Sequence, residues 1–211
     1  MGPNRLHVLV ACAAMFLLIS CGQSPQPPTV VSANTSTDNA PSQAAQSVTG
    51  KTAFFEMYKT ARTWSRDLLP LTLQSKPMPG TTIDSGNAVL WSATFASPSQ
   101  HQSRTFTYCA IAKPPEHYKG VSVGNSVPWG GPTSDALPFD TYEVSVDSDA
   151  AFKTASADAA AWLKKNPGKE VSVALGNAAQ FRQPVWLFLW GDRKSGYAVY
   201  VSAKTGAVVK K

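Results

Sequence analysis

The apolar positions of this chain fall into three regimes. The first is a run from Leu6 to Ile19 broken by His7 alone. The second, residues 22–50, has no apolar period; Pro, Ser, Thr, Gln, Asn and Ala dominate it, and Asp38 is its one charge. The third begins at Lys51, where Phe54, Met57, Ala61, Trp64 and Leu68 recur every three or four positions. That spacing is one face of an amphipathic helix, with Pro70 as the expected stop. A second helix is expected after Asp147-Ser148-Asp149, which supply an N-cap and a negative first turn. Its apolar face is Phe152, Ala155, Ala159 and Trp162, and Lys164-Lys165 followed by Asn166-Pro167-Gly168 close it.

Strands are expected at Val89 to Phe95, Phe106 to Ile111, Gly120 to Val123, Pro184 to Trp190 and Tyr197 to Val201, with a short last one after Lys204-Thr205-Gly206. Trp186 to Trp190 is apolar on both faces, as a central or helix-covered strand is, and Gly191 to Gly196 reads as a turn-rich loop. Helices on an antiparallel sheet are the natural layer solution, so the fold class is α+β.

The two helical segments share a register: Phe54 matches Phe152, Ala61 matches Ala159 and Trp64 matches Trp162 at one offset. Val89 to Phe95 then parallels Pro184 to Trp190, Tyr108 to Lys113 parallels Val199 to Lys204, and Gly120 to Val123 parallels Gly206 to Val209. Four blocks in the same order suggest two divergent copies of one helix-plus-antiparallel-sheet unit. The alternative is one α+β domain with coincidental patterning. The organisation expected is residues 1–20 a signal, 21–50 a lipidated cysteine and disordered tether, 51–147 a first α+β unit and 148–211 a second.

The N-terminal run carries Arg5 before it and ends in Leu18-Ile19-Ser20-Cys21, the layout of a cleaved secretory signal. It is too short to span a bilayer, which takes about 20 apolar residues. The tetrapeptide resembles the lipobox of bacterial lipoproteins. The resemblance implies cleavage before Cys21, diacylglycerol on its thiol and acylation of the new amino terminus. Each buried CH₂ adds about 0.8 kcal/mol, so two or three chains make a lasting anchor. Gly22 follows the cysteine, and the absence of Asp there implies the outer membrane, facing the periplasm, if the organism has one.

The C-terminal half resembles the PepSY module of bacterial envelope proteins. The residues that carry this are Tyr197-Ala198-Val199-Tyr200-Val201-Ser202-Ala203-Lys204-Thr205-Gly206-Ala207-Val208, with Ser202 where that family commonly has Asp. The similarity covers residues 149–209 and implies a small non-catalytic domain, in some cases inhibitory to peptidases. It extends the fold expectation to a tandem PepSY-like duplication.

Loss of residues 1–20 removes Arg5 and no acid, leaving 18 basic against 13 acidic side chains, a formal charge of +5. No basic block exceeds Lys164-Lys165 or Lys210-Lys211, which argues against a nucleic-acid partner. Cys12 leaves with the signal and Cys21 carries lipid, so Cys109 is left single and reads as a small core residue. The mature chain keeps His101 and His117, neither with a second ligand at metal spacing. Asp140, Glu143, Asp147 and Asp149 lack the alternation of a calcium loop. No catalytic constellation, cofactor or metal is expected.

A recognition surface is sought instead in Asn125-Ser126-Val127-Pro128-Trp129-Gly130-Gly131-Pro132, read as a Gly/Pro-rich loop. Trp129, with Asn125, Gly130 and Gly131 around it, is the candidate, since exposed Trp is enriched at binding hot spots. The competing reading has Trp129 folded back over the gap between the two units. The expected function is a membrane-anchored envelope lipoprotein that binds a protein or peptide without catalysis. The rival is a cell-wall or glycan-binding protein or an envelope hydrolase, which would need paired carboxylates in a cleft.

Overall fold

The structure is a computed structural model that describes residues 46–209. Cys21, the apolar run before it and most of the expected tether lie outside the described residues. Among the described residues the fold is α+β, with two helices and one eight-stranded antiparallel sheet. The elements follow as α1 (Gly50–Trp64), β1 (Leu69–Ser75), β2 (Leu90–Ser97), β3 (Gln102–Cys109), β4 (Gly120–Pro128), α2 (Ser148–Lys165), β5 (Val171–Asn177), β6 (Pro184–Trp190), β7 (Tyr197–Ser202) and β8 (Val208–Val209). A 3-10 turn, Thr141–Glu143, precedes α2.

Each helix is thus followed by four strands, and the sheet order is β4-β3-β2-β1-β5-β6-β7-β8. The order is palindromic about the β1–β5 seam, where Thr72, Leu73 and Gln74 pair with Gly176, Leu175 and Ala174. One row running across the sheet reads Val123, Phe106, Ala93, Leu73, Leu175, Trp186, Val201 and Val208. Every member is apolar, and from Phe106 to Val201 the row is buried under the helices, while Val123 at the β4 edge is exposed. The next row, on the opposite face, reads Ser122, Thr107, Ser92, Gln74, Ala174, Leu187, Tyr200 and Val209. The face alternates with every residue, as it must in a strand.

The helices form for the reasons their sequences give. On α1, Ala53, Phe54, Met57 and Ala61 are buried; on α2, Ala151, Ala155 and Ala159 are buried. Phe152 packs 5.7 Å from Phe188 and Trp162 5.8 Å from Tyr197, centroid to centroid. Asp147 caps α2 by accepting from Ser148 N–H, and also accepts from Lys51 N–H at the start of α1. The two helix starts therefore meet, with Gly50 N–H donating to the buried Ser148 Oγ at 2.7 Å. Trp91 Nε1 donates to Val48 O at 3.1 Å, and Trp186 Nε1 donates to Val146 O at 2.9 Å. Each tryptophan thereby ties the sheet to the residue just ahead of a helix's N-cap.

Three expectations are corrected. α1 ends at Trp64 rather than at Pro70: Ser65 is extended and its N–H closes on Ala61 O. Leu68 remains buried, but on the lead into the sheet. Pro70 lies inside β1, opposite Phe95 and beside a register shift before Thr72, an irregularity of the kind that lets a strand carry proline. β1 and β5, the two central strands, are not among those expected from the sequence. Asn125 to Pro128 belong to β4 rather than to a loop. A register shift between Arg104 and Phe106 on the facing strand breaks the alternation there, so the strand has no clean period to read.

Candidate interaction surface

The sheet has one face under the helices and one that no described helix covers. On the first half of the open face the side chains are hydroxylic. Thr72, Thr94 and Thr105 lie side by side on three strands, and Thr94 and Thr105 share a hydrogen bond of 3.0 Å. Met78 closes one corner of this half, packed with Leu90 and Cys109. Cys109 is buried and its thiol donates to Ile111 O at 2.9 Å.

On the second half the open face turns apolar and forms a groove of ≈ 550 Å³. Ala174, Leu187, Leu189, Ala198 and Tyr200 form its floor. They come from β5, β6 and β7, at the positions that alternate with the helix-facing Val173, Leu175, Trp186, Phe188, Trp190 and Val199. Phe181, from the β5–β6 loop, sets its ring 4.7 Å from that of Tyr200. This loop is pinned to the segment entering from β4, because Ala179 N–H donates to Ser134 O and Leu137 N–H to Asn177 O. Asn177 also donates from Nδ2 to Pro138 O, while its buried Oδ1 has no hydrogen bond among the described residues.

Two charged residues line the groove, Asp135 and Arg193. Asp192, next to Arg193, is committed to its own turn: it accepts from Ser195 Oγ, Ser195 N–H and Lys194 N–H. Those bonds, the Ser195 hydroxyl first, hold its carboxyl below the usual range.

Trp129 stands elsewhere. It directly follows β4, the outermost strand, is half-buried, and its N–H donates to His101 O at 2.9 Å. Asn125 is exposed on β4; Gly130 is exposed, and Gly131 has φ +107 with open space around it. The β1–β5 seam, three strands from β4, is filled by Leu73, Leu175 and Trp186 instead. His101 is exposed in a turn with φ 51, and His117 is half-buried in a turn closed on Lys113. Asp140 accepts from Tyr142 Oη, and Asp149 from Ala150 N–H. Among the described residues no three His, Cys, Asp or Glu side chains gather as a metal site would need. No described helix is long and apolar enough to cross a membrane.

Leu187, Leu189 and Tyr200 were within reach of the sequence, in strands apolar on both faces. Phe181 and the two charges were not, because their loops carry no period.

The chain matches no family model and no curated protein. Among solved structures it is similar to a Clostridium difficile 630 protein provisionally named a lipoprotein, at 12% identity and a TM-score of 0.47. The similarity covers 75% of this chain and 90% of that one.

Proposed function

We propose that this protein is a lipid-anchored envelope lipoprotein whose domain binds another protein or peptide without catalysis, through the helix-free face of its sheet. The observation that carries this reading is the groove over β5, β6 and β7. Leu187, Leu189, Ala198 and Tyr200 are partly or wholly open to solvent there, where a strand facing water would carry polar side chains. An apolar, concave surface with few polar groups on its rim is how binding sites are built. Among the described lining residues Asp135 is the one carboxylate, whereas the hydrolase reading calls for a pair.

The anchor follows from Leu18-Ile19-Ser20-Cys21, and the outer membrane is its proposed location in a diderm cell. The two halves are proposed to be divergent copies of one PepSY-like unit. Their shared element order and the matched Trp91 and Trp186 hydrogen bonds support this.

Photocrosslinking from a benzophenone side chain at Ala198 in living cells tests the reading, with the α2 position Lys153 as control. A discrete protein adduct from Ala198 and none from Lys153 is expected. Adducts from Lys153 alone, or only glycan adducts, would overturn it. Trp129→Ala checks the other candidate surface: the Ala198 adduct should survive it. A second reading, glycan binding, draws on the Phe181–Tyr200 ring pair in a groove whose lining also includes Thr72, Gln74 and Gln180. It predicts retention on immobilised cell-wall polymer, lost in Tyr200→Ala.

A further inference from the structure

The chemistry of the occupant can be read from the groove, given the protein-binding reading above. The groove runs along β6, and its two charges sit at opposite ends of that strand. Asp135 lies beside Asn177 and Ala178, where β5 ends and the chain turns towards Pro184. Arg193 lies in the turn after Trp190. A seven-residue strand separates these ends by roughly 20 Å, at about 3.3 Å per residue. Between them the floor is uncharged.

Among the described residues neither charge has an ion-pair partner; the ion pair there is Lys59 with Glu56 on α1. Asp192 is held by its turn, and Arg182, next to Phe181, is not among the lining side chains. A trough with an acidic end, a basic end and an apolar middle is electrostatically directional.

We infer that the groove takes an extended peptide segment of about six residues, basic at the Asp135 end, apolar in the middle and acidic at the Arg193 end. Six extended residues bridge the two charges, a span that would take about 13 helical residues. Alternate side chains of such a segment face the floor, so apolar residues at every second position meet Leu187, Leu189, Ala198 and Tyr200.

The test is a specificity switch. The full chain, held in detergent micelles, is titrated with three end-blocked fluorescent heptapeptides of alternating leucine and serine. Their termini carry lysine and glutamate, two glutamates, or two lysines. The native protein should prefer the mixed peptide by roughly two- to fivefold per matched end, the range of an exposed ion pair. Asp135→Lys should transfer the preference to the two-glutamate peptide, and Arg193→Glu to the two-lysine peptide. Both positions are exposed, so unchanged melting temperatures serve as the folding control. The preferences should fade in 0.5 M salt as the Debye length contracts to a few ångströms. Equal binding of all three peptides, binding of none, or a preference that neither variant moves would overturn the inference. If Ala198 still crosslinks to a protein partner while the switch is absent, the protein-binding reading stands and the bipolar segment falls. Loss of both would remove both.

Discussion

Single residues fasten this fold at points where the sheet meets a loop. Asp67 is the densest such point: it accepts from Ser65 Oγ at 2.5 Å, Ser97 Oγ at 2.8 Å and Ser99 N–H at 2.8 Å. These bonds, led by Ser65, hold its carboxyl far below the usual range. A carboxyl depressed in the folded state stabilises it above its unfolded pKa of 3.8, and that stability is lost as pH falls through the folded value. Asp67→Asn should therefore melt below the native protein at pH 7, and the gap should close progressively below about pH 4. A gap constant from pH 7 to pH 2 would mean the charge contributes nothing. Trp186 is the second point, fully buried with its indole N–H on Val146 O. Trp186→Ala should cost about 3–5 kcal/mol. Trp186→Phe keeps most of the volume but strands that carbonyl, for about 1–3 kcal/mol. Urea unfolding of both separates packing from hydrogen bonding.

Among the elements, the two helix starts are the tightest junction. A Cβ on Gly50 would come within 2.5 Å of the Trp186 ring and 3.3 Å of Leu73. Gly50→Ala should cost about 1–3 kcal/mol by overpacking, although alanine favours the helix itself. A neutral or stabilising result in thermal unfolding would show that Trp186 can move aside. How much of this was legible depends on whether an element's period survives its irregularities. The face of α2, its Asp147 cap and its Asn166 end were readable, because capping and a 3.6 period act locally. β5 alternates in Val171-Ser172-Val173 and was readable in principle, but a short strand of small residues beside a longer helical pattern is easily passed over. β1 was hidden by Pro70, which signals a helix stop in isolation and is tolerated here beside a register shift. β4 was half hidden because Gly124 sits at the irregularity, where a Cβ would lie 2.9 Å from Thr105 O. The groove needed tertiary information: nothing local says that Asp135, Phe181 and Arg193, from three different loops, line one trough.

At the scale of the whole molecule, eight strands share one sheet, so neither half owns a complete core. Backbone pairing at the seam is brief, from Thr72–Gly176 to Gln74–Ala174. Side chains reinforce it: Ser75 Oγ accepts from Val173 N–H at 2.9 Å, and Gly50 donates to Ser148 across the halves. The covalent link between halves runs through exposed Gly130 and half-buried Gly131, with no neighbour within 4 Å of a Cβ built on either. That segment is suited to cleavage, since exposed tips with small residues are preferred nicking sites. Phe139, beyond it, is buried with its ring 6.2 Å from that of Phe54 in the first half. A cut between Gly130 and Gly131 therefore leaves a core residue of the first half on the second fragment. With a protease site placed there, the nicked protein should elute as one particle. Refolding from urea should then require both fragments together. Either fragment alone would expose one long edge, β1 or β5, whose unpaired backbone and apolar face invite aggregation. Two fragments that each regain cooperative unfolding would instead mark the halves as autonomous domains that merely share a sheet.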